Sequence, residues 1–134
     1  MDTRIPIKDT IGVLADLVGQ GKAAEIGPSA VDGATLALAH AVHPIAAVQN
    51  EYSLVVRSAE NDALPRAREL MIPFVAYSPL GRGILSGYAP VAPTRDAGDY
   101  RKSRAEFSVD RLNRPGKAMD PLRAVAVRRQ SSLT

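Results

Sequence analysis

The chain contains no cysteine and no tryptophan, and aromatic residues make up only 4% of it. Without cysteine there is neither a disulfide nor a thiolate metal site, and the redox compartment stays undetermined. So few rings argue against a base-stacking surface. Long apolar runs are missing too, so no segment reads as crossing a bilayer, and no charged start leads into an apolar signal core. The expectation is a cytoplasmic protein with no membrane partner. Charge of one sign is also lacking, since 17 Lys and Arg against 14 Asp and Glu leave +3 over 134 residues. The basic excess gathers beyond Arg95, in Arg101, Lys102, Arg104, Arg111, Arg114 and Lys117. With no aromatic platform or recognised module beside them, these read as a solvated loop, and nucleic acid is not an expected partner.

What is present is a repeating pattern. Ile7, Ile11, Leu14 and Val18 recur at the spacing of one apolar helical stripe, and Gly21 is placed to end that helix in a left-handed conformation. Residues 23–27 read as a short strand, although Ala23 and Ala24 lack bulk for packing. Asp32 caps a second helix that runs through His40, and residues 45–48 form a second apolar strand after Pro44. A third helix lies within residues 61–70, with Asp62 or Ser58 as its cap. Phe74, Val75 and Ala76 form a third strand, stopped by Pro79, Gly81 and Gly83. Helix, strand, helix, strand, helix, strand is the pattern of repeated βα units around a parallel sheet. Tyr77 and Ser78 therefore stand at the carboxyl end of a strand. Beyond Gly87 the pattern fades into a long polar loop, with Asn113-Arg114-Pro115-Gly116 as a turn and a short helix over 120–130 opened by Asp120 and Pro121.

Four segments in this order carry a family resemblance. They are Asp2 through Thr10, Gly21-Lys22 with Ile26-Gly27-Pro28-Ser29, Gln49-Asn50-Glu51-Tyr52-Ser53-Leu54, and Phe74-Val75-Ala76-Tyr77-Ser78-Pro79-Leu80-Gly81. Together they resemble the stretch of the aldo/keto reductases from the fourth helix to the seventh strand. A complete barrel of that kind takes about 250 residues, so the resemblance implies an α/β fold, a partial (β/α) TIM barrel of about three parallel βα units with an irregular C-terminal tail. The corresponding division is residues 1–88 as partial barrel and 89–134 as loop-rich basic tail. Family members tend to carry glycine where Met71 stands, so Met71 is expected at positive φ at a cost on the order of 1 kcal/mol.

The resemblance also implies chemistry: reduction of small-molecule carbonyl substrates with a nicotinamide cofactor, mostly NADP(H), and no metal. The Tyr, Asp, Lys and His that act on the carbonyl come from the family's first four strands, which match nothing in these residues. No catalytic residue is therefore assigned. Ser29 and Gln49 are placed to hydrogen-bond the nicotinamide carboxamide, Tyr77 to stack on the ring, and Ser78, Leu80 and Arg82 to lie along the pyrophosphate. Ala30 stands where many members place Asn, and Pro28 lacks a backbone donor.

Plainer readings exist for each residue. A tyrosine after a strand is commonly a packing residue with a satisfied hydroxyl, and Gln49 alone is a polar strand end. His40 and His43 fall at a helix exit and loop and read as structural, while Asp2, Asp9, Asp16 and Asp32 read as caps and solvated faces. The resulting expectation is a fragment or truncated paralogue of an aldo/keto reductase, inactive alone, with open sheet edges covered by self-association or a partner chain. The alternative is a non-catalytic binding or regulatory subunit of the same fold.

Overall fold

The computed structural model describes residues 4–86, 98–99 and 109–132, with only the helix backbone for 109–118. The chain forms two compact units, residues 1–79 and 80–134. In the first, helix α1 (Ile7–Gly19) buries Ile11 and packs Ile7, Leu14 and Val18 against the core, the stripe expected from their spacing. The helix ends as Gly21 turns to φ 70, with Lys22 N–H on the Leu17 carbonyl and Gly21 N–H on that of Val18, both at 2.9 Å. This crossed pair of bonds satisfies carbonyls that the helix would otherwise leave open. Helix α2 (Gly33–His40) is capped as expected: the Asp32 carboxylate accepts from the Thr35 N–H at 2.6 Å. Bonds from Thr35, first its side chain and then its backbone N–H, hold the Asp32 carboxyl below the usual carboxylate range.

The sheet has two described strands, β1 (Val48–Glu51) and β2 (Phe74–Tyr77), parallel, with Gln49 opposite Val75 and Glu51 opposite Tyr77. Helix α3 (Ala63–Glu69) connects them, preceded by a 3₁₀ turn over Ser58–Asn61. Ile26, Val31, Leu36, Ala39, Ile45, Val48, Ala67 and Ile72 close the core between helices and sheet.

Several expectations need correction. The strand at 23–27 does not form; that part of the chain touches the sheet only at a parallel bridge from Ser29 to Gln49. Ala23 and Ala24 offer little side chain to pack, and Pro28 has no N–H to give a ladder. Its carbonyl nevertheless accepts from Gln49 N–H at 3.0 Å. The second strand begins at Val48 and not at 45, because the Ile45 N–H is taken by His40 Nδ1 at 3.1 Å and the Ala46 N–H by the Ile26 carbonyl. His40 is thus the structural residue it was read to be. Asp62 does precede α3, but its side chain does not cap it. Instead its Oδ1 accepts from Gly33 N–H at 2.9 Å, joining the starts of α2 and α3. A β-carbon on Gly33 would lie 2.9 Å from that same oxygen and 3.0 Å from Arg66 Cβ, so only glycine permits this approach.

Met71 closes α3 at φ 55, with Ile72 N–H on the Ala67 carbonyl at 2.8 Å and Met71 N–H on that of Arg68. The terminator is the one that follows α1, here without glycine.

In the second unit, residues Gly81–Ser86 wind as 3₁₀ turns broken by Arg82 (φ 54) and Gly83 (φ 99). Helix α4 (Val109–Arg128) is continuous and longer than the helix expected at 120–130. It runs through the expected turn at Asn113–Gly116 and through the supposed cap at Asp120. Buried Met119 and half-buried Leu122 and Ala126 share one helical stripe, which carries the helix across Asp120 and Pro121. Of the expected loop, residues 87–97 and 100–108, with Arg101, Lys102 and Arg104, lie outside the described residues, whereas Arg111, Arg114 and Lys117 stand in α4 and not in a loop.

Candidate functional site

The site is built on β1, which lies between the Ser29 bridge and β2. Along a strand, successive side chains point to opposite faces. Val48 is fully buried and Asn50 is 9% exposed on the core side, while Gln49 is exposed on the other. Paired residues of neighbouring strands share a face, so Ser29, Gln49, Glu51, Val75 and Tyr77 stand together on the face turned from the core. Val75 is 44% exposed there.

Ser29 and Gln49 are level, with Ser29 Oγ 3.4 Å from Gln49 Oε1. That separation is long for a hydroxyl hydrogen bond, so the Ser29 hydroxyl donates to the Gln49 amide weakly and leaves it room to bond elsewhere. Tyr77, half-buried, ends β2 two residues further along, about 7 Å at the usual rise per residue. Its carbonyl accepts from Tyr52 N–H at 3.3 Å, one rung past β1. The three residues thus share one face, with Tyr77 outside the interface between strands and helices.

The chain leaves both the Ser29 bridge and β2 through left-handed residues: Ala30 at φ 54 follows Ser29, and Ser78 at φ 53 follows Tyr77. Leu80 and Arg82 belong to the second unit, where Leu80 is 42% exposed and its carbonyl accepts from Gly83 N–H and Leu85 N–H.

Next to this rim is a hollow of about 240 Å³ between Ala30, Val31, Asp32, Asn50, Glu51, Ser58 and Asp62. It carries three carboxylates, yet among the described residues no group of His, Asp and Glu is arranged to hold a metal ion. Below it, Tyr52 donates to Glu60 Oε1 at 2.6 Å, and Arg57 Nε donates to the same oxygen at 2.9 Å. Bonds from Arg57 and then Tyr52 lower the Glu60 pKa, and donation to Glu60 raises that of Tyr52. The Tyr52 ring meets Phe74 edge-on at 6.0 Å between centroids, tying this cluster to β2.

The Aldo/keto reductase family model matches residues 1–134. The chain belongs to the aldo/keto reductase family. It is similar to the glycerol dehydrogenase of Gluconobacter oxydans, with 28% identity and a TM-score of 0.89 over 99% of this chain. The match spans 41% of that enzyme's length. The two described parallel strands are therefore an unclosed part of an aldo/keto reductase barrel.

The sequence reading missed Asn50 and Glu51. Both lay in the quoted Gln49-Asn50-Glu51 motif, but their significance depends on register. Glu51 faces outward opposite Tyr77, and Asn50 faces inward behind the Ser29 bridge. No helix of the described residues is long and apolar enough to cross a membrane.

Proposed function

We propose that this segment carries the nicotinamide-facing rim of an NADP(H)-dependent, cytoplasmic aldo/keto reductase acting on small carbonyl compounds. The supporting observation is the outward placement of Ser29, Gln49 and Tyr77 on one sheet face, with Ser29 Oγ and Gln49 Oε1 only 3.4 Å apart. A hydroxyl and a primary amide offer both donors and acceptors, which fits a carboxamide, and Tyr77 offers a ring to stack against. When bound, the cofactor supplies the hydride. Ser29 and Gln49 orient its carboxamide, Tyr77 holds the ring's plane, and Ser78, Leu80 and Arg82 meet the pyrophosphate. Polarising the carbonyl and delivering the proton fall to positions that these residues do not include. The far edge of β2 has no described strand beside it, and such an edge is a template for pairing, so a partner chain or a second copy is part of the same proposal.

Replacing Tyr77 by Ala removes the stacking surface. NADPH affinity is expected to fall about tenfold, the equivalent of about 1.4 kcal/mol, with a matching loss on Gln49→Ala. Fluorescence titration of the reduced cofactor measures this. Equal affinity in wild type and Tyr77→Ala would sink the assignment.

A further inference from the structure

Asn50 is 9% exposed on the core side of β1, and both ends of its amide are engaged by one residue. Its Nδ2 donates to the Val31 carbonyl at 2.7 Å, and its Oδ1 accepts from the Val31 N–H at 3.2 Å. This reciprocal pair begins where the backbone ladder stops. Up to that point Gln49 N–H donates to the Pro28 carbonyl at 3.0 Å, and Ala30 N–H donates to the Gln49 carbonyl at 2.8 Å. Ala30 then takes φ 54 and swings the chain off the ladder, a turn that is unfavourable for any residue bearing a β-carbon. Two bonds on the very next residue hold that turn closed, and in a buried setting neither is cheaply given up. Ser29 is consequently fixed against Gln49 from both sides, by the ladder before it and by the clamp after it.

We infer that Asn50 is a positioning residue: by clamping Val31 it sets the Ser29 hydroxyl beside the Gln49 amide, without itself touching the cofactor. The inference rests on the carboxamide role proposed for Ser29 and Gln49. Side-chain alternation requires it to act this way, because Asn50 faces the core while Gln49 faces the opposite side. A residue that merely filled space could be replaced by an apolar one, whereas this clamp needs one donor and one acceptor in the geometry of an amide.

The test compares Asn50→Ala, Asn50→Asp and Val48→Ala, the last a fully buried neighbour on the same side of β1. Two readouts are taken on the full chain: affinity for nicotinamide mononucleotide, and the order of the Gln49 side-chain amide in the ligand-free protein, both by NMR. Asn50→Ala is expected to weaken the mononucleotide about tenfold or more and to release the Gln49 amide. Val48→Ala, destabilised by its own cavity, leaves both readouts of the folded molecules unchanged. Asn50→Asp carries a pH signature. Ionised, it cannot donate to the Val31 carbonyl; neutral, it again offers one donor and one acceptor, so its affinity and Gln49 order return toward wild type as pH falls. Wild-type affinity and Gln49 order in Asn50→Ala, or no pH dependence in Asn50→Asp, overturns the inference. If wild type does not take nicotinamide mononucleotide, the cofactor reading fails and Gln49 order alone decides: order lost in Asn50→Ala supports the clamp, and order kept overturns it. If Asn50→Ala does not fold, the pH dependence of Gln49 order in Asn50→Asp decides.

Discussion

Met71 and Gly21 occupy the same position of the same helix terminator, yet only glycine takes a left-handed conformation without steric cost. Met71 is 90% exposed, so its side chain contributes little packing to set against that cost. Met71→Gly should therefore raise stability by about 1 kcal/mol, roughly a 4 °C gain in the unfolding midpoint. Thermal melts of the two proteins decide it, and an unchanged or lowered midpoint would show that the Met71 side chain stabilises the turn by a route other than burial. Ala30 meets the same difficulty at the rim. The Asn that many relatives carry there tolerates this backbone region better, so one residue type answers both the local turn and the contact that the resemblance implies.

Among the elements, the Tyr52–Glu60–Arg57 cluster couples the 3₁₀ turn to the end of β1 and should leave a mark on stability against pH. Glu60 is held below its ordinary pKa, so the unfolded chain binds the proton more readily. Its contribution is fully present above the ordinary carboxylate range and is lost as pH falls through the folded value. Tyr52 is raised, so its share is present below the ordinary phenol range and fades as pH rises through the folded value. Asp32 adds to the acid limb in the same sense as Glu60. All these groups are open to solvent, which screens the effect. Tyr52→Phe should shrink both limbs, as measured by urea midpoints across pH. Superimposable wild-type and variant curves would mean that the cluster is stabilising nothing.

The same scale shows what could be read from residues alone. The α1 stripe, the Asp32 cap and the turn at Gly21 were legible because each is decided within one or two helical turns. The 23–27 strand was not, since a strand exists only if its neighbour presents a ladder, and here the neighbour bonds at Ile26, Pro28 and Ala30 alone. At α4, the Pro115-Gly116 and Asp120-Pro121 signals outweighed the apolar spacing of Met119, Leu122 and Ala126 in the sequence reading, although that stripe lies within two helical turns. For the site, Ser29, Gln49 and Tyr77 came from motifs, and parallel strand order put them at one end of the sheet; which face they take came from register. Asn50 could be found by neither route, because its partner Val31 is 19 residues away and the bond is between side chain and backbone.

At the scale of the whole molecule, residues 1–134 cover 41% of the Gluconobacter enzyme that they match. Holding a nicotinamide ring is separable from activating a carbonyl, because each needs groups within hydrogen-bond reach of a different atom. Residues 1–134 on their own are expected to show no aldehyde-dependent oxidation of NADPH above a mock preparation. A rate that exceeds this background and disappears with Tyr77→Ala would refute the expectation.

The alternating residues of β1 separate cohesion from the recognition proposed for Gln49, within a strand only four residues long. A slip of one position would leave its hydrogen bonds countable as before but turn the strand over. Gln49 would then face the helices, and Val48 and Asn50 would face the open side. Such a slip would bury a polar amide and expose an apolar side chain, and would remove the proposed carboxamide contact in the same step. The register that packs this strand is thus the same register that the proposed recognition needs, and its flanking partners at Gln49 are Ser29 and Val75.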